Sequence, residues 1–96
     1  MTDELNGFRF TVSPQATVSS HDDGIVILHL GSGGFYTCNG TGAHIWRAIE
    51  QKLSLEAIAK EISSAYEIAL TTARQQTVRF VAELELHALV QQEPAS

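Results

Sequence analysis

The single cysteine of this sequence, Cys38, is its most reactive side chain, and it raises the question of nucleophilic catalysis. A cysteine nucleophile needs a nearby base and a site that stabilises an oxyanion. His29 and His44 are candidates for the base, but no sequence motif links either of them to Cys38. We therefore expect a buried, inert thiol and no catalytic residues.

The four histidines raise the second question, which is metal binding. They are His21, His29, His44 and His87. Zinc sites usually draw on spacings such as H-x-x-x-H or C-x-x-C, and neither spacing occurs. Asp22 and Asp23 could add carboxylate ligands beside a histidine, but nothing in their spacing requires it. We expect no metal and no cofactor.

Length and composition favour one small domain over residues 1–96, ordered from about residue 8 to residue 90. The chain has 96 residues, of which 44% are hydrophobic and 18% are charged, and this size leaves no room for a dinucleotide-binding fold. The apolar run at 25–28 is far shorter than the ~20 residues of a membrane span. The acidic start at residues 1–4 is unlike a signal peptide. These features predict a cytoplasmic protein that does not contact membranes.

The charge balance argues against a nucleic-acid partner. Eleven acidic and six basic residues give a formal net charge of −5, and the basic residues are scattered along the chain. Proteins that bind nucleic acids usually carry a basic patch that neutralises phosphates. A protein or peptide partner is therefore favoured over DNA or RNA.

The first half of the chain predicts β-structure. Apolar and polar residues alternate over 8–12, which is typical of a half-buried strand. Residues 15–23 are polar, with a turn at the Asp-Asp-Gly sequence of 22–24. Residues 25–30 are apolar and β-branched, and the glycine-rich segment 31–34 connects them to a strand at 35–38. We expect the strand at 8–12 to pair with the strand at 25–30, which makes the strand at 35–38 the edge of a three-stranded sheet.

The second half predicts three helices, at about 42–51, 55–66 and 71–90. Thr41 and Ser54 are suitable N-caps for the first two helices. Thr72 and Gln75 fit a capping box at the start of the third helix. The predicted fold class is α+β, with a three-stranded antiparallel sheet followed by three helices, as in a winged helix-turn-helix.

Two features of this arrangement suggest a peptide-binding site. The predicted edge strand carries neither a charge nor a proline, so the main chain of Phe35, Tyr36, Thr37 and Cys38 could accept a strand from a partner. The alternatives are that the edge is merely short, or that it pairs with a second copy in a homodimer.

The third helix supplies the second feature, because apolar residues lie outside its core stripe. The core stripe comprises Ala73, Thr77, Phe80, Val81, Leu84 and Ala88. The predicted wall of a peptide groove lies on one border of that stripe and comprises Arg74, Val78, Val81, Ala82 and Glu85. Arg74 could pair with an acidic residue of the peptide. Ordinary packing of this border is the alternative.

The sequence resembles the PqqD-like family, whose members are also called recognition elements of ribosomally made, modified peptides. Residues 34–46 read G-F-Y-T-C-N-G-T-G-A-H-I-W, and they are similar to a family signature with Asn-x-Thr and Ile-Trp. The similarity continues through 54–59 and 80–90, and it covers about residues 8–90. Cys38 replaces the usual Leu, Gln76 lies near the position of a common Asp, and Ala88 replaces the usual Gly.

The resemblance implies a winged-helix-like protein without catalytic activity that binds the leader segment of a precursor peptide. The leader would add a strand beside 35–38, pack against the third helix, and be presented to a leader peptidase or another maturation enzyme. Lasso-peptide biosynthesis is favoured over pyrroloquinoline quinone synthesis. The alternatives are a winged-helix DNA-binding regulator and a subunit that only scaffolds an enzyme.

Overall fold

The computed structural model describes residues 9–22 and 24–93, and it confirms the α+β class. Residue 8 of the predicted first strand and Asp23 of the predicted turn lie outside this part. The elements in chain order are β1 (Phe10–Val12), β2 (Ala16–His21), β3 (Gly24–His29), β4 (Phe35–Asn39), α1 (Gly40–Glu50), α2 (Leu55–Tyr66), α3 (Leu70–Leu86) and β5 (Val90–Gln92).

The three-stranded antiparallel sheet has the order β2-β3-β4. The central strand β3 buries Ile25 and Ile27, which lie opposite Cys38 and Tyr36 of β4. Because successive side chains of a strand point to opposite faces, these four residues form the face that packs on the helices. The other face of the sheet is turned to solvent.

The first strand of this sheet differs from the prediction. The predicted strand at 8–12 does not pair with β3; its described part, β1, pairs with β5 near the end of the chain. The partner of β3 is β2, which lies in the polar segment. Four of the six β2 residues are exposed, and only Ala16 and Val18 pack against the core, so the sequence shows no clear alternation of apolar and polar residues there. Main-chain pairing holds this strand in place.

The starts of the three helices show which of the predicted N-caps are correct. Helix α2 has the predicted bounds, and the Ser54 hydroxyl caps it by accepting a hydrogen bond from the N–H of Ala57 at 3.2 Å. Helix α1 begins at Gly40, directly after β4, so Thr41 lies inside its first turn and the predicted N-cap is wrong. Helix α3 begins at Leu70, one residue earlier than predicted, and it follows Ala69, which has no capping side chain.

The end of α3 also differs from the prediction. The helix ends at Leu86, and Ala88 adopts a left-handed backbone conformation with a φ of 59°. This conformation interrupts the helical hydrogen bonding and redirects the chain into β5. Ala88 is therefore exposed and does not belong to the core stripe that the helical pattern predicted.

The core lies between the inner face of the sheet and the three helices. Trp46 of α1 lies in this core and is 1% exposed. Its indole N–H donates a hydrogen bond to the Glu50 carboxylate at 3.0 Å. Leu84, Ile58 and Ile62 bring α2 and α3 into the same cluster. No helix in the described ranges has the length and apolar character needed to cross a membrane.

Candidate functional site

Among the residues that the structure describes, β3 is the one strand that pairs with β4, so the outer edge of β4 is open in this part of the chain. The N–H of His29 donates to the carbonyl of Gly34 at 2.8 Å, and hydrogen-bonded pairs alternate along an antiparallel ladder. In the register of the two strands, Tyr36 and Cys38 therefore bond to β3. The main-chain N–H and C=O groups of Phe35 and Thr37 point to the open edge, where a further strand could bond to them.

The side chains of β4 divide between the two faces of the sheet. Phe35 is 68% exposed and Thr37 is also exposed, whereas Cys38 is buried and Tyr36 is half-buried. The side chains of β4 therefore alternate between the inner and the outer face of the sheet. A strand added at the open edge would have its own side chains divided in the same way.

Helix α3 provides a wall beside the inner face of β4. The ring centroid of Tyr36 lies 6.0 Å from that of Phe80 and 5.2 Å from that of His87. Phe80, Glu83 and His87 are spaced three and four residues apart, so they share one side of the helix. Tyr36 thus lies between two rings of α3 and connects the strand to the helix.

Two depressions lie at the two ends of this contact. One has a volume of about 510 Å³ and is lined by Thr37, Cys38, Gly42 and Phe80, together with residues of β3. The other has a volume of about 220 Å³ and is lined by Gly34, Phe35 and His87, among others. We call the surface formed by Tyr36, Cys38, Gly42, Phe80, Glu83 and His87 the β4–α3 groove.

The interior of the β4–α3 groove is uncharged near neutral pH. Burial raises the pKa of the Cys38 thiol to about 11. Burial also raises the pKa of Tyr36, and the negative charge of Glu83 adds to this shift. At the rim, His87 Nε2 lies 4.0 Å from the Glu83 carboxylate. The groove therefore suits apolar side chains below and an extended main chain at its edge.

The two histidines considered as a base for Cys38 are engaged elsewhere. His29 Nδ1 accepts a hydrogen bond from the N–H of Ser32 at 3.0 Å, and His44 Nε2 lies 3.3 Å from a carboxylate oxygen of Glu61. The high pKa of Cys38 also keeps it in the thiol form, which is a poor nucleophile. Over residues 9–22 and 24–93, no cluster of three or more histidine, cysteine, aspartate or glutamate residues could hold a metal.

The structure places the five predicted wall residues of α3 away from the open edge of β4. Arg74 makes two hydrogen bonds to Glu56 of α2, at 2.9 and 2.6 Å. Val81 is 2% exposed and belongs to the core. At about 100° per residue, Val78 and Ala82 each point about 160° away from Phe80. Both are exposed.

Glu85, the fifth predicted residue, lines a separate hollow with residues of β5 and the segment before β2. None of the five lines either depression at β4. The core stripe has two borders, and helical periodicity alone does not tell which border faces the sheet. Phe80 was assigned to the core stripe, and Glu83 and His87 were missed. Glu83 and His87 follow Phe80 by three and seven residues, and this helical spacing is the one sequence signal that places them on the same side of α3 as Phe80.

Comparison with known proteins identifies related domains. The family model described as coenzyme PQQ synthesis protein D (PqqD) matches residues 24–90. The chain is 26% identical to a solved structure described as lasso peptide synthetase B1 complexed with the leader peptide, with a TM-score of 0.80, covering 86% of this chain and 98% of that chain.

A second solved structure, described as TbiB1 in complex with the TbiA(beta) leader peptide, is 24% identical, with a TM-score of 0.81. That match covers 90% of this chain and 99% of the other, and it supports the fold. No curated protein sequence matches the chain.

Proposed function

The chain belongs to the PqqD family, and from this premise we propose that it binds the leader segment of a ribosomally synthesised precursor peptide. The leader adds as a strand to the open edge of β4. One observation carries the proposal: the outward main-chain groups of Phe35 and Thr37 lie directly beside the β4–α3 groove. Main-chain hydrogen bonds supply affinity in such strand addition, and side-chain pockets supply specificity.

The two faces of the added strand would meet different surfaces. Every second leader side chain would enter the β4–α3 groove and pack on Tyr36, Phe80 or His87. The intervening side chains would lie beside exposed Phe35 on the outer face of the sheet. We therefore propose a leader with apolar or aromatic residues at alternate positions.

The role of the bound complex is to deliver the precursor to a maturation enzyme. We propose a leader peptidase in a lasso-peptide pathway, since a leader complex of a lasso peptide synthetase B1 is similar to this chain over 86% of its length. The β4–α3 groove contains the phenol of Tyr36 and the thiol of Cys38, both held protonated by their surroundings. Among the described residues neither group forms a hydrogen bond with a base that could activate it, so binding is the function proposed.

The test is a titration of the protein into a fluorescently labelled synthetic leader of the precursor encoded beside its gene, read by fluorescence polarisation. We expect binding at micromolar or lower concentration. Phe80→Ala removes one wall of the groove and should weaken binding about tenfold, which corresponds to ~1.4 kcal/mol. Val78→Asp, on the opposite side of α3, is the matched control and should bind as the wild type does.

Circular dichroism of both variants separates a loss of binding from a loss of folding. Normal binding by folded Phe80→Ala, together with weak binding by Val78→Asp, would show that the peptide lies on the other border of α3. Absence of binding to the leader, with a salt-sensitive shift on duplex DNA, would instead support the DNA-binding alternative.

A further inference from the structure

Helix α3 carries an apolar stripe on the side that faces solvent. Val78 is 42% exposed, Leu86 is 81% exposed, and Ala82 between them is also exposed. The three are spaced four residues apart, so they lie one above another on the helix surface. We call Val78, Ala82 and Leu86 the α3 outer stripe.

The α3 outer stripe belongs to neither the core nor the peptide site. Ala73, Thr77 and Leu84 of the same helix are fully buried, and α3 packs against α2. Phe80 and His87 face β4, and Ala82 points about 160° away from Phe80 at about 100° per residue. The β4–α3 groove can therefore be occupied while the stripe remains accessible.

The charges that flank the stripe are segregated along the helix. Arg79 lies three residues before Ala82, and Glu83 lies one residue after it on the same flank, since the two are four residues apart. Glu85 adds a second negative charge in the C-terminal half. A reversed copy of α3 places this flank beside the same flank of the first copy, and Arg79 of one helix then lies within one turn of Glu83 of the other.

A two-fold axis at Ala82 makes this surface complementary to itself. The small side chains of the two Ala82 residues allow the helices to approach closely. Val78 of one copy then lies beside Leu86 of the other, and Arg79 of one copy lies beside Glu83 of the other, twice in the pair. Such a contact is isologous, with the same patch used on both subunits. The antiparallel helix dipoles also favour this orientation.

We propose that the α3 outer stripe is a self-association surface, through which two copies of this chain pair by antiparallel contact of their third helices. The contact uses one face of one helix, and it is smaller than the ~800 Å² per partner of a standard interface. Association is therefore weak, with a dissociation constant on the order of 0.1–1 mM. The main-chain edge of β4 remains free for a peptide, although the contact shares Glu83 with the rim of the β4–α3 groove.

Sedimentation velocity of the unmodified protein, from about 10 µM to about 1 mM, tests the proposal. The expected result is a monomer at the lowest concentration and a growing dimer fraction at the highest. Leu86→Glu should shift the dissociation constant upward by at least about tenfold. Leu30→Glu, at a residue that is 61% exposed on the β3–β4 turn, is the control and should dimerise as the wild type does.

A charge exchange tests the orientation of the pair. Arg79→Glu alone should weaken dimerisation by about two- to fivefold, the effect of ordinary exposed ion pairs, and the double variant Arg79→Glu with Glu83→Arg should restore it. A protein that stays monomeric up to about 1 mM would overturn the proposal, as would Leu86→Glu dimerising normally. These measurements contain no leader peptide, so they succeed or fail independently of the proposed peptide binding.

Discussion

A methyl group added at Gly42 should damage the β4–α3 groove without unfolding the protein. Gly42 lies in the first turn of α1, and its φ is not positive, so the backbone accepts alanine. A Cβ atom there would lie 3.1 Å from Phe80 Cε1 and 3.2 Å from the Cβ of Cys38. Both distances are shorter than ordinary van der Waals contact, so a neighbour must move.

The neighbour free to move is the ring of Phe80. The Cβ of Cys38 is fixed by the pairing of β4 with β3, whereas the half-buried Phe80 ring borders the depression of about 510 Å³. At these distances the neighbour must move by a few tenths of an ångström. A wall atom displaced by up to ~0.5 Å forfeits up to about a quarter of its contact energy. A buried apolar side chain of the leader contributes ~1.5–3 kcal/mol. The loss is therefore up to roughly 0.4–0.8 kcal/mol, which is about two- to fourfold in the dissociation constant.

The stability of Gly42→Ala should remain within about 1 kcal/mol of the wild type. Alanine is favoured over glycine in a helix by up to ~1 kcal/mol, and this gain offsets the cost of moving the ring. Gly40→Ala is the matched control, because a Cβ at Gly40 has nothing within 4 Å. It should bind the leader as the wild type does.

The assay for both glycine variants is calorimetric titration with the leader, paired with thermal unfolding. Equal binding by the two variants would refute the assignment of Phe80 to the wall of the peptide site. A large loss of stability in Gly42→Ala would show that the Phe80 ring cannot move outward as argued.

Three further predictions concern the buried polar groups. The pKa of Cys38 is raised to about 11, so iodoacetamide at pH 8 should alkylate the folded protein at least ~100-fold more slowly than the unfolded chain. The alkylation rate of the folded protein should rise as the pH approaches 11. Rapid alkylation at pH 8 would contradict the burial of Cys38. The hydrogen bonds from Arg74 lower the pKa of Glu56, so this group contributes stability above the ordinary glutamate pKa of ~4.3 that is lost as the pH falls. Glu56→Gln should cost ~1–3 kcal/mol in urea unfolding at pH 7 and less at pH 3, and an equal cost at both values would exclude the ion pair as its cause. The buried Thr77 hydroxyl has no hydrogen-bond partner among the described residues, so Thr77→Val should raise the free energy of unfolding by about 1 kcal/mol, whereas a decrease would reveal a partner for the hydroxyl.

Local signals explain which elements could be predicted from the sequence. The bounds of α2 follow from the Ser54 cap and from apolar residues at helical spacing, both of which act within one element. The hairpin of β3 and β4 follows from two apolar runs around a glycine-rich turn. Gly33 in that turn has a φ of 78°, a conformation that favours glycine.

The rest depended on contacts between distant parts of the chain. Strand β2 packs only Ala16 and Val18 against the core, so its polar sequence carries little trace of the pairing with β3. The end of α3 depends on Ala88 and on the pairing of β5 with β1, which lies about 80 residues earlier in the chain.

The candidate site divides in the same way. The open edge at Phe35–Cys38 was predicted, since alternation and the absence of charge are visible in the sequence, although the three-stranded sheet that exposes it has a different first strand. The α3 wall was placed on the border that carries Val78, because the helical pattern is symmetric about the core stripe. The ring contacts of Tyr36 with Phe80 and His87 decide which border faces the strand.

Strand addition at β4 is tested most directly by comparing proline substitutions on the two edges of the sheet. The N–H of Thr37 points outward from β4. The N–H of Ser20 points outward from β2, as follows from the hydrogen bond between Leu30 N–H and Gln15 C=O at 2.8 Å and the strand register. Both variants should fold, because an edge strand accepts proline where its N–H faces solvent.

Leader affinity of the two proline variants is the decisive measurement. Thr37→Pro removes a donor that the added strand needs and places a ring in its path, so the dissociation constant should rise about tenfold or more. Ser20→Pro should bind the leader as the wild type does. A folded Thr37→Pro variant with wild-type affinity, or an equal loss in Ser20→Pro, would contradict binding at the β4 edge.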